Sequence, residues 1–179
     1  ARYGVGVDRV DIKKAEECGI VVTNTPGANA AAVAELTVAF ILLLARQVSR
    51  ADRLTHAGEW SRINVPGLSG STGGLIGFGA IGKDVAKKLK GFDVNLLVFD
   101  PFVHPETALA LGATLVELDD LLAASDFVSL HAPLTQDTVA LADSTFFDKM
   151  KKGANLINTA RGELIEDAAF EEALKSGKL

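Results

Sequence analysis

The chain has 179 residues, enough for one substantial domain or a domain plus part of another, and too few for a complete two-domain enzyme. Eighteen Lys and Arg against twenty-three Asp and Glu leave a formal charge of −5. No basic footprint for nucleic acid or an anionic membrane results, and neither partner is expected. The hydrophobic share of 48% with 23% charged residues belongs to a chain that buries a core, and one cysteine, Cys18, excludes an internal disulfide and a thiolate-rich metal centre. A reducing, cytoplasmic setting and no bound metal are therefore expected. Residues 1–6 show no basic-then-apolar leader, and with no Met at the start the chain is expected to be trimmed or partial.

In chain order, residues 5–22 read as a strand end, a short helix opened by Asp11 and closed near Gly19, and a short strand at 20–22. One such step cannot cover two sheet faces, so residues 1–28 are expected to be the edge of a domain whose remainder lies elsewhere. Thr25, Pro26 and Gly27 form a turn, and Asn29 is a candidate N-cap for a long helix reaching about His56, with Gly58 ending it. Its apolar run at 38–45 is far shorter than the roughly 20 residues that span a bilayer. Being apolar on nearly every side, the helix is expected to lie at an interface between domains or subunits. Residues 61–74, rich in Pro and Gly, read as a connecting loop.

Beyond Ser71, strands ending at Leu75 and Ile76, then at 94–99, Phe127–Leu130 and Asn155–Asn158, alternate with helices at 81–90, Leu118–Ala124, Ser144–Lys149 and 167–176. Near-continuous apolar strands alternating with helices predict a parallel sheet covered on both faces. The expected fold is α/β: a Rossmann-like, doubly wound sheet with a partial second domain and a long linking helix.

Gly77, Phe78, Gly79, Ala80, Ile81 and Gly82 follow a strand and open a helix. There the first glycine permits the turn, the second lets backbone approach a diphosphate, and the third allows close packing, while free amides at the helix start attract phosphate. Asp100 ends the next strand, where a carboxylate accepts from the adenosine ribose hydroxyls and repels a 2′-phosphate, so NAD is expected rather than NADP.

Open α/β sheets bind ligands beyond the carboxyl ends of their strands, where two further loops qualify. In the first, Ala132 and Pro133 are expected to line an adenine or nicotinamide slot and Thr138 to offer a hydroxyl to phosphate. His131, beside them, reads more readily as a structural hydrogen-bonding group than as an acid or base. The second comprises Asn158, Thr159, Ala160, Arg161 and Gly162, with Thr159, Ala160 and Arg161 placed at the cofactor.

The glycine loop, Asp100, these two loops, the opening run from Arg2 to Asp11 and the Asn24–Thr25–Pro26–Gly27 turn together resemble the NAD-dependent D-2-hydroxyacid dehydrogenase family along nearly the whole chain. That resemblance implies hydride transfer between nicotinamide and C2 of a 2-hydroxy or 2-oxo acid, with 3-phospho-D-glycerate, the acid that feeds serine biosynthesis, as the expected substrate. It gives Arg161 the role of binding the carboxylate and polarising the substrate oxygen, which suits a planar guanidinium fork. It also implies that amides around Val5 and Gly6 cradle the carboxylate, that Arg2 meets a second anionic group, and that Thr37 touches the cofactor. The same likeness makes 1–28 a remnant of the substrate domain, 29–67 a linking helix and loop that forms a homodimer, and 68–179 the NAD-binding domain.

Departures from the family pattern are also visible. Ala80 replaces an arginine of the glycine loop, which predicts weaker cofactor binding. Ser71 stands for lysine, Arg9 for asparagine, and Gly73 for a strand leucine, which is expected to loosen the first strand. His56 and His104 do not match the family's acid-base histidine, and neither it nor its glutamate has a counterpart in these residues. The competing expectation is a non-catalytic, NAD-sensing module resembling corepressors of the same fold. An S-adenosylmethionine-dependent methyltransferase is disfavoured, since it leaves the last two loops without a role.

Overall fold

A parallel five-stranded sheet organises the chain. In the computed structural model, which describes residues 1–179, β1 (Thr72–Ile76), β2 (Asn95–Phe99), β3 (Ala113–Leu115), β4 (Phe127–Leu130) and β5 (Asn155–Asn158) stand in the order β3-β2-β1-β4-β5. The chain builds outward from β1 through β2 to β3, then returns to the other side of β1 for β4 and β5. This reversal opens a crevice between the carboxyl ends of β1 and β4.

Both faces are covered, as strands apolar on both sides demand. Along β2, Leu96 and Val98 face one core while Leu97 and Phe99 face the other. The first core holds Leu75, Phe78 and Phe127 against α2 (Ala30–Ala45) and α4 (Ala80–Leu89). The second packs Ile76, Val128 and Leu130 against α6 (Leu118–Ala124), α7 (Ser144–Lys149) and α8 (Asp167–Lys175). At the start of β1, Asp126 accepts from the Thr72 amide at 2.8 Å and from Lys151 Nζ at 2.9 Å, fastening β1 to β4.

Several local expectations change. The long helix breaks at Gln47, whose φ is 50°, into α2 and α3 (Val48–His56), bent by 63°. The apolar pattern that seats α2 stops at Ala45, and α3 buries no residue, so packing that would hold one straight rod is missing. Asn29 precedes α2 but its side chain makes no capping bond. No single helix is long and apolar enough to cross a membrane.

The strand expected at 20–22 does not form, and Ile20 and Val21 lie exposed because no neighbouring strand stands beside them. What remains of that step is α1 (Ile12–Glu17), capped by Asp11 at 2.8 Å, and two backbone bonds, Arg2 to Thr23 and Thr25 to Gly4. Elements that were not anticipated include α5 (Pro105–Leu109) and the three-residue β3, which pairs with Leu96–Val98 of β2.

The glycines at 73 and 74 belong to β1, not to a connecting loop. A Cβ on Gly73 would collide with the Phe127 ring, and one on Gly74 with Leu121 and Ser125. The first strand is therefore filled from its neighbours instead of loosened.

Candidate functional site

The first glycine turn sits at the crevice because three backbones converge there. Gly77, with φ of 93°, lies against the His131–Ala132 peptide, where any Cβ would meet main-chain atoms; its amide donates to Phe99 at 2.9 Å. A Cβ on Gly82 would strike the Gly77 carbonyl, so the third glycine brings α4 onto the turn. Gly79 has open space where its side chain would be. The amides of Ala80, Ile81 and Gly82 donate to no group in the chain, leaving a cluster of unpaired donors at the start of a ten-residue helix.

Asp100 lies beside this turn. Its Oδ2 accepts from the Phe78 amide at 2.7 Å and its Oδ1 from Phe102 at 2.9 Å, so the carboxylate is held in place with further lone pairs free.

The loop after β4 is packed differently from expectation. His131 is half-buried, with Nε2 3.0 Å from the Ser129 hydroxyl, and desolvation pushes its imidazole down to about 4. At neutral pH the ring is uncharged and bonded to Ser129. Thr138 does not present its hydroxyl outward. The hydroxyl donates to the Pro133 carbonyl at 2.6 Å and accepts from the Thr135 amide at 2.8 Å, closing the loop on itself. Pro133 is exposed and Ala132 half-buried on the crevice side.

Thr37 also departs from expectation. It is fully buried on α2, donates to the Val33 carbonyl at 2.8 Å and lies 2.8 Å from the Thr159 hydroxyl. Its one hydrogen is spent on Val33, so Thr159 is the donor between them, and Thr37 keeps no exposed surface with which to touch a cofactor. The pair instead ties the linking helix to the loop after β5. Asn158 shapes that loop by accepting from the Ala160 amide at 2.9 Å and donating to the Arg161 carbonyl at 2.7 Å.

Arg161 reaches from this loop to the amino-terminal segment. Its Nη2 occupies the space a Gly6 side chain would fill, and its Nη1 donates to the Ala160 carbonyl at 2.8 Å. Nε and Nη2 each stand 2.8 Å from Asp8 Oδ2. Asn24 donates to the Val5 carbonyl at 2.9 Å and Thr25 Oγ1 accepts from the Gly4 amide at 2.7 Å, fixing the turn that presents Val5 and Gly6. Arg2 is exposed, and its charge is felt at Asp8. Asp8, Asn24 and Thr25 received no role from sequence reasoning. All three lie within the two runs that carried the family resemblance, which was the available signal.

Val5, Asn29, Gly79, Ala80, Ile81 and His131 face a common cleft of about 150 Å³. A larger hollow of about 560 Å³ opens among residues 65–71, Asp126 and Lys151–Lys152, at the amino ends of the strands. The free amides face the smaller cleft, Asp100 lines a separate hollow of about 570 Å³ and Arg161 lies against Gly6, all at the carboxyl ends of the strands.

Residues 38–179 match the family model described as D-isomer specific 2-hydroxyacid dehydrogenase, NAD binding domain. The chain belongs to that family. Within these dehydrogenases it is 44% identical to D-3-phosphoglycerate dehydrogenase of Archaeoglobus fulgidus, over 99% of this chain and 34% of that protein. It is also 44% identical to hydroxypyruvate reductase of Thermotoga maritima, over 100% of this chain and 58% of the relative. Among solved structures, the NAD-dependent formate dehydrogenase of Staphylococcus aureus in complex with NAD superposes with a TM-score of 0.89 and 37% identity, covering 98% of this chain and 54% of that one. The chain thus spans about a third to somewhat over half the length of these dehydrogenases.

Proposed function

We propose that the protein is an NAD-dependent oxidoreductase that exchanges a hydride with C2 of a D-2-hydroxy or 2-oxo acid. The observation that carries this reading is convergence: Val5 of the amino-terminal segment and Gly79 to Ile81 of the glycine loop face one cleft, and Arg161 lies against the adjoining Gly6. When bound, NAD supplies the hydride acceptor. The residues present fit it: the free amides of Ala80, Ile81 and Gly82 would receive the diphosphate, and Asp100 the adenosine ribose. Ala132 and Pro133 would flank the ring system. Arg161 would bind the acid's carboxylate and stabilise charge on its oxygen, with the Val5 and Gly6 backbone beside it.

Among acids we favour 3-phospho-D-glycerate, which would place the protein at the head of serine synthesis. Arg2 supports this reading as a second cation, exposed and with its charge felt at Asp8, the partner of Arg161. The A. fulgidus relative bears the corresponding name, whereas the T. maritima relative is named for another acid at the same identity. The exposed, unpaired Cys18 supports a cytoplasmic location. The deciding assay mixes the purified protein with NAD and paired D and L acids, phosphorylated and not. NADH absorbance rises with D acids, fastest for the phosphorylated one; no rise with any D acid overturns the enzyme reading.

A second reading is favoured by α2, where Leu36, Phe40 and Leu44 form an open apolar stripe. At i, i+4 spacing such a stripe suits a second copy of the chain, in a homodimer. Under this alternative the protein is a non-catalytic module whose association responds to NAD. Sedimentation with and without NADH separates the two readings: a cofactor-driven change in size without turnover supports the second.

A further inference from the structure

The contact between Asp8 and Arg161 joins residues 153 positions apart. A guanidinium carries five N–H donors. Nε donates to Asp8 Oδ2 and Nη1 to the Ala160 carbonyl, while Nη2 stands 2.8 Å from Asp8 Oδ2 as an ion-pair contact. The three N–H groups without a hydrogen bond are all on the two Nη atoms, the end of the guanidinium that can receive a carboxylate, and Nη2 lies on the Gly6 backbone.

We propose that Asp8 is a positioning residue: its carboxylate grips the Nε edge of Arg161 so that the terminal edge is kept open for the carboxylate of a 2-oxo or 2-hydroxy acid at the Gly6 backbone. This rests on the substrate class proposed above. An arginine side chain free to rotate would lose conformational entropy on gripping a ligand, and Asp8 removes that loss before the ligand arrives. Gly6 serves the same end, because any side chain there would displace Nη2. The interaction is mutual. The Arg161 hydrogen bond, against a small opposing effect of burial and with its charge in support, holds the Asp8 carboxyl below its ordinary range. The acid is thus ionised, and able to grip, throughout the neutral range.

The test measures calorimetric binding of oxamate, an unreactive 2-oxo acid mimic, to the NADH-saturated protein and to Asp8→Ala, Asp8→Asn and Asp8→Glu, alongside NADH affinity itself. The expected result is oxamate binding weakened up to about tenfold in Asp8→Ala and Asp8→Asn, partly recovered in Asp8→Glu, with NADH affinity unchanged in all. A role confined to holding the fold would move NADH affinity or thermal midpoint together with oxamate and would not distinguish asparagine from glutamate; that pattern overturns the proposal. Equal or tighter oxamate binding in Asp8→Asn also overturns it, since Asp8 would then be a bystander or an internal competitor. If the wild type binds NADH but no oxamate, the acid reading itself fails and the proposal with it.

Discussion

The Asp100 carboxylate holds the Phe78 amide at 2.7 Å, so the residue proposed to read the ribose also braces the glycine turn. Two parts of one cofactor site are therefore mechanically linked. Asp100→Ala is expected to weaken NADH binding by at least about tenfold, through lost hydrogen bonds to a charged acceptor worth roughly 1.5–3 kcal/mol each. It should also narrow the preference over NADPH, because the charge that repels a 2′-phosphate is gone. Fluorescence titration with both cofactors checks this, and an unchanged NADH affinity would remove Asp100 from the ribose. Asp100→Asn keeps an acceptor for Phe78 and separates bracing from charge.

Gly73 and Phe127 share one volume. Gly73→Leu, the residue usual in the family, is expected to destabilise the fold by about 1–3 kcal/mol through overpacking. Phe127→Ala alone should cost about 3–5 kcal/mol. The double variant should cost less than the two together, because the leucine fills what the ring vacates. Urea denaturation of all four proteins closes the cycle, and strict additivity would show that the two side chains do not compete.

Acid should act on this fold in two stages. The His131 imidazole titrates at about 4 in the folded chain against an ordinary 6.5, so the unfolded state binds the extra proton between those values. Stability is whole above pH 6.5 and falls toward pH 4, by at most about 1.4 kcal/mol per pH unit. Asp126 acts lower. Burial raises it, but the Thr72 amide and Lys151 more than offset that and leave it below 3.8, so its contribution is present above 3.8 and lost as pH falls through its lowered value. In denaturation curves from neutral to acid pH, His131→Asn should flatten the upper stage alone and Asp126→Asn the lower.

Ala80 is exposed at the first turn of α4, beside the unpaired amides. Ala80→Arg is expected to strengthen NADH binding about fivefold, since an exposed charge-assisted bond to phosphate contributes on the order of 1 kcal/mol. The gain should fade with added salt. Titrations at two ionic strengths test both statements.

Where sequence and structure agree, the signal was local and strong. The glycine turn was legible because a strand precedes it and a helix follows, and β4 and β5 because each is a short apolar run between turn residues. The misses share a different cause. The three residues of β3 are a strand only because β2 offers them a partner, while residues 20–22 have strand character and no partner. Gln47 takes a left-handed conformation that its residue type does not announce. Thr37 and Thr138 carry hydroxyls suited to a ligand, yet nearby carbonyls claim them, which depends on loop geometry that spacing does not encode. Asp8 went without a role because its partner lies at the far end of the chain.

Residues 1–28 contain one buried residue, Gly4, and α1 contains none. Little apolar surface is hidden where this segment meets the sheet, so the hydrophobic effect contributes little to holding the two together. The segment's tie to the body of the fold is therefore polar, carried by the Asp8–Arg161 pair, and added salt loosens it.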